Sequence, residues 1–290
     1  MNLLDLMNST HGDFDQIYII AEAGINHNGS PEIARKMIIE AAATGVDAIK
    51  FQKREISLVY TEDFLDQPRE SIWGKTQRDQ KNGLELDIST YEELSSLSRE
   101  LGLDFSASAW DLNSLELIEK LNPDFHKVAS ALITNINFIS RVAEFKRPTF
   151  ISTGMSHYSD IEKAITIFNM KKCPFMLMHT ISVYPSPLES LNLRVINTLA
   201  DRYSVPVGYS GHEASVSPSL TAAALGARVI ERHFTLDRSM YGSDQSASLE
   251  PDGLRRLVAG LRKIPIILGD GQKKYDNAEK EVAKKLRYWE

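Results

Sequence analysis

Two imidazoles close two successive apolar runs: Gly208-Tyr209-Ser210-Gly211-His212 and Ile230-Glu231-Arg232-His233-Phe234. Residues two apart on a strand point the same way. Ser210 therefore shares a face with His212, and Glu231 with His233. If the segments are adjacent parallel strands, two imidazoles and a carboxylate converge at one end of a sheet. Such a cluster can hold a divalent metal and handle a proton. Either histidine alone is equally well explained by burial against a backbone partner. The pair, at the same end of successive runs, favours a site.

Stepping along the chain, short apolar runs alternate with amphipathic stretches. The runs cover 18–23, 48–51, 104–108, 125–129, 149–152, 175–179, 207–210 and 228–234. The intervening pattern predicts helices over 31–44, 90–101, 114–121, 137–145, 159–168, 193–203, 217–225 and 252–267. Ser30 is the N-cap expected before Pro31, and Thr90 with Glu93 reads as a capping box. Gly45, Gly102 and Gly226 fall where helices should end. Strands alternating with helices imply parallel pairing through right-handed crossovers, and eight units imply an α/β protein, a (β/α)8 TIM barrel. A doubly wound open sheet is the runner-up, but Gly24 and Gly29 enclose Ile-Asn-His-Asn rather than a dinucleotide-binding loop. Residues 1–16 are expected to be a flexible or capping N-terminal extension, and 17–290 a single barrel domain. The stretch 55–87 is too long and polar for an ordinary connection; it is expected to be a lid or an oligomer contact.

In such a barrel the chemistry sits at the C-terminal strand ends. Glu22 ends the first strand, Lys50 and Gln52 the second, and Ser106 and Ser108 the third. Lys127 and Ser130 follow on the fourth, Ser152 and Thr153 on the fifth, and His179 on the sixth, with Ser182 and Tyr184 beyond. Charge at the last turn of an apolar strand is costly unless it meets a ligand or partner. The lysines and hydroxyls suit a small ligand carrying phosphate and carboxylate. Metal ligands and carboxylates beside them suggest carbonyl chemistry on that anion.

The composition agrees with such an enzyme. The chain has 290 residues, 42% hydrophobic and 25% charged, as in a globular protein. A formal charge of −6 argues against a general nucleic-acid binder. No apolar run approaches a membrane span, and the N-terminus has no secretion-signal pattern. The single cysteine, Cys173, excludes an intrachain disulfide, fits a reducing cytoplasm, and is expected to be a packing residue.

Several motifs carry a resemblance. Ile20-Ala21-Glu22-Ala23-Gly24-Ile25-Asn26-His27-Asn28-Gly29, Lys50-Phe51-Gln52 and Lys127-Val128-Ala129-Ser130 resemble those of the sialic acid synthase family. So do Ser152-Thr153-Gly154-Met155, the two histidine segments, Asp237-Arg238 and Ala247-Ser248-Leu249-Glu250-Pro251. The resemblance implies a (β/α)8 barrel that condenses phosphoenolpyruvate with an acylamino-sugar or related aldose, releasing phosphate, with Mn2+ or Mg2+. It implies that His212 and His233 bind the metal. It implies that Lys50, Ser108, Lys127, Ser130, Ser152 and Ser210 hold phosphoenolpyruvate, with Ser182 near the phosphate. Glu22, Gln52, Tyr184 and Asp244 would face the acceptor, and Glu22 or Glu231 would move the proton. A homodimer is also implied. Departures are Leu132 for an acidic residue, Ser182 for asparagine, Gly211 for aspartate and Gln245 for histidine; the family's C-terminal antifreeze-like domain is expected to be absent. The donor half-reaction is therefore expected to be kept, with an acceptor other than N-acetylmannosamine. Two other readings compete: a Schiff-base aldolase using Lys127 or Lys50, and a non-catalytic sugar- or phosphate-binding barrel.

Overall fold

A computed structural model describes residues 2–9 and 16–289. Eight strands form one sheet: β1 (Tyr18–Gly24), β2 (Ala48–Lys53), β5 (Asp104–Ala109), β6 (His126–Val128), β7 (Thr149–Ser152), β8 (Phe175–Thr180), β9 (Val207–Gly211) and β10 (Val229–His233). A short antiparallel hairpin, β3 (Pro68–Ser71) and β4 (Gly74–Thr76), is inserted between β2 and β5. The spatial order is β5-β2-β1-β10-β9-β8-β7-β6, with every ladder parallel. The two ends of this order also meet. The Asp124 amide donates to Phe105 O at 3.0 Å, and Ser106 Oγ donates to Phe125 O at 2.6 Å. The sheet closes into the expected barrel, and the open doubly wound alternative is excluded.

Two helix starts lie earlier than the sequence pattern suggested. Asp87 caps the helix Ile88–Glu100 by accepting from Thr90 N, so Thr90 is buried inside the helix rather than capping it. Asp111 likewise caps Leu112–Lys120 by accepting from Ser114 N. Aspartate is as good a cap as serine or threonine, and here it comes first in the chain. The helix expected over 252–267 is two helices, Pro251–Leu261 and Ile264–Leu268; Pro265, which has no N–H to donate, sits in the first turn of the second. Ser30 and Gly45 bound Pro31–Thr44 as expected. Cys173 is buried with its thiol pushed up to about 11, chiefly by burial, and its Sγ donates to Arg147 O at 3.3 Å. It is a packing residue.

Alternation along each strand sorts side chains between two environments. Ile19, Ala21, Ile49, Phe51, Phe105, Ile151 and Ile230 point outward under the helices. The inward positions form layers, as barrels do. The lowest layer is apolar: Tyr18, Ile20, Ala48, Phe125, Phe150, Met176, Met178 and Val229. The short helix Leu3–Met7 seals this floor, with Leu3, Leu6 and Met7 buried in the same cluster. The described part of the N-terminal extension is thus a cap; residues 1 and 10–15 lie outside the described residues. Above the floor the inward residues turn polar, beginning with Glu22, Lys50, Ser106, Lys127, Ser152, Ser210 and Glu231.

Leu6 is 2% exposed. Leu6→Ala should lower unfolding free energy by about 2–5 kcal/mol, read by urea denaturation. A change below about 0.5 kcal/mol, the range of an ordinary surface site, would show that the cap does not bear on the floor.

Candidate active site

The inward polar residues enclose a cavity of about 190 Å³ at the C-terminal ends of the strands. Its walls include Glu22, Lys50, Gln52, Ser108, Lys127, Ser130, Ser152, Ser182, Tyr184, Ser210, His212, Glu231 and His233. Of the residues that the resemblance assigned to the site, all but Asp244 lie in this wall; Asp244, whose Oδ2 is 3.8 Å from His233 Nδ1, lines a neighbouring cavity. His179 does not reach the centre: its Nε2 lies 2.7 Å from Leu191 O. Leu132 packs against the outer core, so the position expected to carry an acceptor-binding acid is apolar and turned to the core.

The register explains the convergence. Glu231 pairs with Ser210 across β10 and β9, and Glu22 pairs with Lys50 across β1 and β2. Glu231 Oε1 accepts from Lys127 Nζ at 2.9 Å and Ser210 Oγ at 3.2 Å, and lies 3.7 Å from Lys50 Nζ. Lys50 also pairs with Glu22 and donates to Ser108 Oγ at 2.9 Å. Four ionisable groups thus lie within direct contact inside a barrel, each at most 6% exposed.

Their environments drive the two carboxyls apart. Burial pushes Glu22 up to about 7; Lys50 opposes the rise and the charge of Glu231 adds to it. Burial works against the Glu231 charge as well, but Lys127 and Lys50 outweigh it and hold that carboxyl well below the usual range. Glu231 is therefore a fixed anion, while Glu22 can carry or release a proton near neutrality. Burial also pulls Lys127 below its ordinary value, with Glu231 opposing and Lys50 reinforcing. Both lysines are engaged with carboxylates, which does not favour either as a free amine nucleophile for a Schiff base.

The two imidazole rings stand 5.3 Å apart, centre to centre, with the Tyr184 ring 4.0 Å from that of His212. His212 Nδ1 lies 2.7 Å from Ile181 O, which fixes it as the donor and leaves Nε2 as the basic nitrogen. Burial, reinforced by His233, pulls His212 down to about 3, and burial likewise lowers His233. Both rings are neutral and can ligate a cation. Glu231 Oε2 and His233 Nδ1 are buried without a hydrogen-bond partner in the protein. Among the described residues no three His, Cys, Asp or Glu side chains form a closed metal cage. A cation here would take two imidazoles and keep open positions, the arrangement of a catalytic site rather than a structural one.

Beyond the end of β7, glycine permits close approach. The Gly154 amide donates to Ser130 Oγ at 3.1 Å, and a Cβ at Gly154 would fall 2.8 Å from that oxygen and 2.4 Å from Ser182 Oγ. Ser130, Ser182 and the Gly154 backbone make a small polar corner suited to an anion. Gly24, at φ +54°, lets the chain turn beside Glu22, Gln52 and His233.

Sequence reasoning missed the Glu213–Arg232 pair. Arg232 lies between the inward Glu231 and His233, so it points into the helix layer, where it is 1% exposed. Its Nη1 is 2.9 Å from Glu213 Oε1 and donates to Ser215 O at 2.8 Å. Glu213 also accepts from Tyr209 OH at 2.8 Å and Ser219 Oγ at 3.0 Å. This network pins the segment that presents His212. The signal was available: an arginine flanked by inward residues on a barrel strand must find a buried carboxylate. Arg232→Met should destabilise the fold by about 3–5 kcal/mol, because it strands the Glu213 charge. Equilibrium denaturation checks this, and a loss under about 1 kcal/mol contradicts it.

The NeuB family matches residues 37–273 of the chain. The chain is 40% identical over 256 residues to the N-acetylneuraminate-9-phosphate synthase of Drosophila melanogaster, covering 87% of this chain and 69% of that protein. It is 35% identical over 269 residues to the N,N'-diacetyllegionaminic acid synthase of Campylobacter jejuni, covering 91% and 80%. Among solved structures it resembles the N-acetylneuraminic acid (sialic acid) synthetase of Leptospira borgpetersenii in complex with citrate: TM-score 0.84, 32% identity, 97% of this chain and 96% of that one. A truncated 3-deoxy-D-arabino-heptulosonate 7-phosphate synthase from Thermotoga maritima shares the fold at a TM-score of 0.69 and 13% identity.

Proposed function

The chain belongs to the NeuB family, and on that footing we propose that it condenses phosphoenolpyruvate with an aldose to a 2-keto-3-deoxy sugar acid and phosphate. The observation that carries this reading is the enclosure of Lys50, Lys127, the serine hydroxyls and both histidines in one cavity. The cations and the Ser130–Gly154 corner supply the donors that an enol phosphate with a carboxylate requires. The facing imidazoles and Tyr184 bound the space left for a carbonyl.

In the reaction the methylene carbon of phosphoenolpyruvate bonds to the aldehyde carbon, whose oxygen becomes a hydroxyl on protonation. Water adds to the phosphate-bearing carbon, and the tetrahedral adduct expels inorganic phosphate to leave the keto acid. Lys50 and Lys127 balance the charge of the bound and leaving anion. The Glu22 carboxyl is the group able to exchange a proton near neutrality, and Gln52 Nε2 orients it by donating to Oε1 at 2.8 Å. Glu231 stays ionised and holds Lys127 in place. His212 and His233 would hold Mn2+ or Mg2+, which would supply Lewis acidity toward the acceptor's oxygen.

No helix of the described residues is long and apolar enough to cross a membrane. The reading places the enzyme in the cytoplasm as a homodimer. Support for the dimer is the exposed apolar Met155, Val183 and Leu188.

Phosphate release from phosphoenolpyruvate against a panel of aldoses, with mass detection of a product extended by three carbons, tests the activity. Lys127→Met should lower kcat/KM by about 10²–10³-fold. Retention of more than about a tenth of wild-type activity would remove Lys127 from the chemistry. Calorimetric Mn2+ binding should be lost in His212→Gln; unchanged binding would place the cation elsewhere.

A further inference from the structure

The alternation that turns Lys50 and Gln52 toward the site carries on to Arg54, the first residue after β2. Its backbone is clamped on both sides. The Arg54 amide donates to Glu85 Oε2 at 3.2 Å. Lys53 Nζ donates to Arg54 O at 3.1 Å and to the same Glu85 oxygen at 2.6 Å. The guanidinium lies 4.3 Å over the Trp110 ring, and its Nη2 donates to Gln52 Oε1 at 2.5 Å. Among the described residues Arg54 forms no ion pair with a carboxylate, unlike Arg232, which is matched to Glu213. Its side chain engages an aromatic face and an amide oxygen instead.

That contact decides what Gln52 offers to Glu22. A carboxamide can turn over and exchange its oxygen and nitrogen, so its neighbours fix its orientation. A guanidinium has donors only. Facing Arg54, Gln52 must present Oε1, and its NH2 group is then turned to Glu22, where Nε2 donates to Oε1 at 2.8 Å. Gly24 leaves the room for this contact: a Cβ there would fall 3.2 Å from Gln52 Nε2 and 3.3 Å from Glu22 Oε1. The Gln52 backbone is fixed as well, its O accepting from Tyr91 OH at 2.5 Å. Lys50 holds the other oxygen of Glu22. With the amide reversed, its oxygen would face a carboxyl oxygen, and the two would repel.

We propose that Arg54 is a positioning residue that acts through Gln52. It locks the amide with the NH2 group toward Glu22, and so holds that carboxyl with Oε1 at Gln52 and Oε2 at Lys50. The orientation of Gln52 follows from the hydrogen bonds alone; its effect on catalysis rests on the synthase reading.

The first arm of the test needs no turnover. In full-length protein carrying 15N-labelled glutamine, the side-chain NH2 signal of Gln52 is the one lost in Gln52→Leu. Its exchange with solvent should be at least about tenfold faster in Arg54→Met than in the unaltered protein. Arg54→Lys, which keeps a donor at that place, should retain most of the protection. The signals of the buried Gln80 and Gln245 should not change. The second arm follows condensation with phosphoenolpyruvate, Mn2+ and the panel of aldoses. Arg54→Met should lower kcat by about tenfold or more, the loss expected of a hydrogen bond from a charged group, with KM for phosphoenolpyruvate within about twofold. In the Gln52→Leu background the same substitution should cost less than about twofold, because the group it acts through is gone. Unchanged exchange at Gln52 in Arg54→Met overturns the proposal. So does loss of protection at all three glutamines, or an undiminished Arg54→Met effect in the Gln52→Leu background. Arg54-dependent protection of Gln52 in a protein that turns over no aldose would sink the synthase reading and keep the lock. Turnover that is indifferent to Arg54→Met would do the reverse.

Discussion

The Glu231 carboxylate, buried between two ammonium groups, is the interaction on which the rest of the site depends. Taking such charges out of water costs several kcal/mol each, and only close, well-oriented partners offset it. Glu231 has them: Lys127 at 2.9 Å, Ser210 at 3.2 Å and Lys50 at 3.7 Å. Once Glu231 is fixed as an anion, Glu22 is the carboxyl left to be pushed upward by burial and by its neighbour's charge. The pair then divides into a structural anion and a proton carrier, set by position alone. With Glu22 protonated, the two lysines exceed the fixed negative charge by one, and the cavity favours an anion.

A barrel can hold this cluster because its interior is layered. The apolar floor beneath, sealed by Leu3, Leu6 and Met7, closes the lower end to water. Interactions among charges above it are correspondingly strong. Outside the strands a second buried ion pair, Arg232 with Glu213, holds the segment that carries His212. The donor end is thus built on strands and braced from both sides. The neighbouring cavity is lined by the inserted segment after β2 and by loop residues such as Asp244 and Tyr184, where sequence can vary without disturbing the barrel.

Much of this was legible in the sequence, for a physical reason. A strand that stays apolar until its last turn and then carries Lys, Glu or His is costly in any fold that does not gather those groups. The run endings at Glu22, Lys50, Lys127, Ser210 and Glu231 therefore point to one end of one sheet. Helix starts were less legible, because Asp87 and Asp111 compete with downstream caps that look equally good in the sequence. The sequence left the extension open between flexible and capping, because Leu3, Leu6 and Met7 make too short a pattern to reveal a buried face. The segment 55–87 was legible only as an insertion. It is tied to the loop after β10 by the packing of Trp73 on Tyr241, a contact between residues far apart in the chain. Asp244 was placed with the acceptor residues by resemblance and lies on the outer cavity, beside His233.

The most direct test of the central claim is the relaxation of the 31P resonance of phosphoenolpyruvate in the presence of the protein and Mn2+. If the ammonium pair holds the enol phosphate in the same pocket where the imidazoles hold the cation, Mn2+ should strongly accelerate that relaxation. Replacing it with Mg2+, or introducing His212→Gln, should abolish the acceleration. Tight binding of phosphoenolpyruvate with a phosphorus resonance indifferent to bound Mn2+ would contradict a shared pocket.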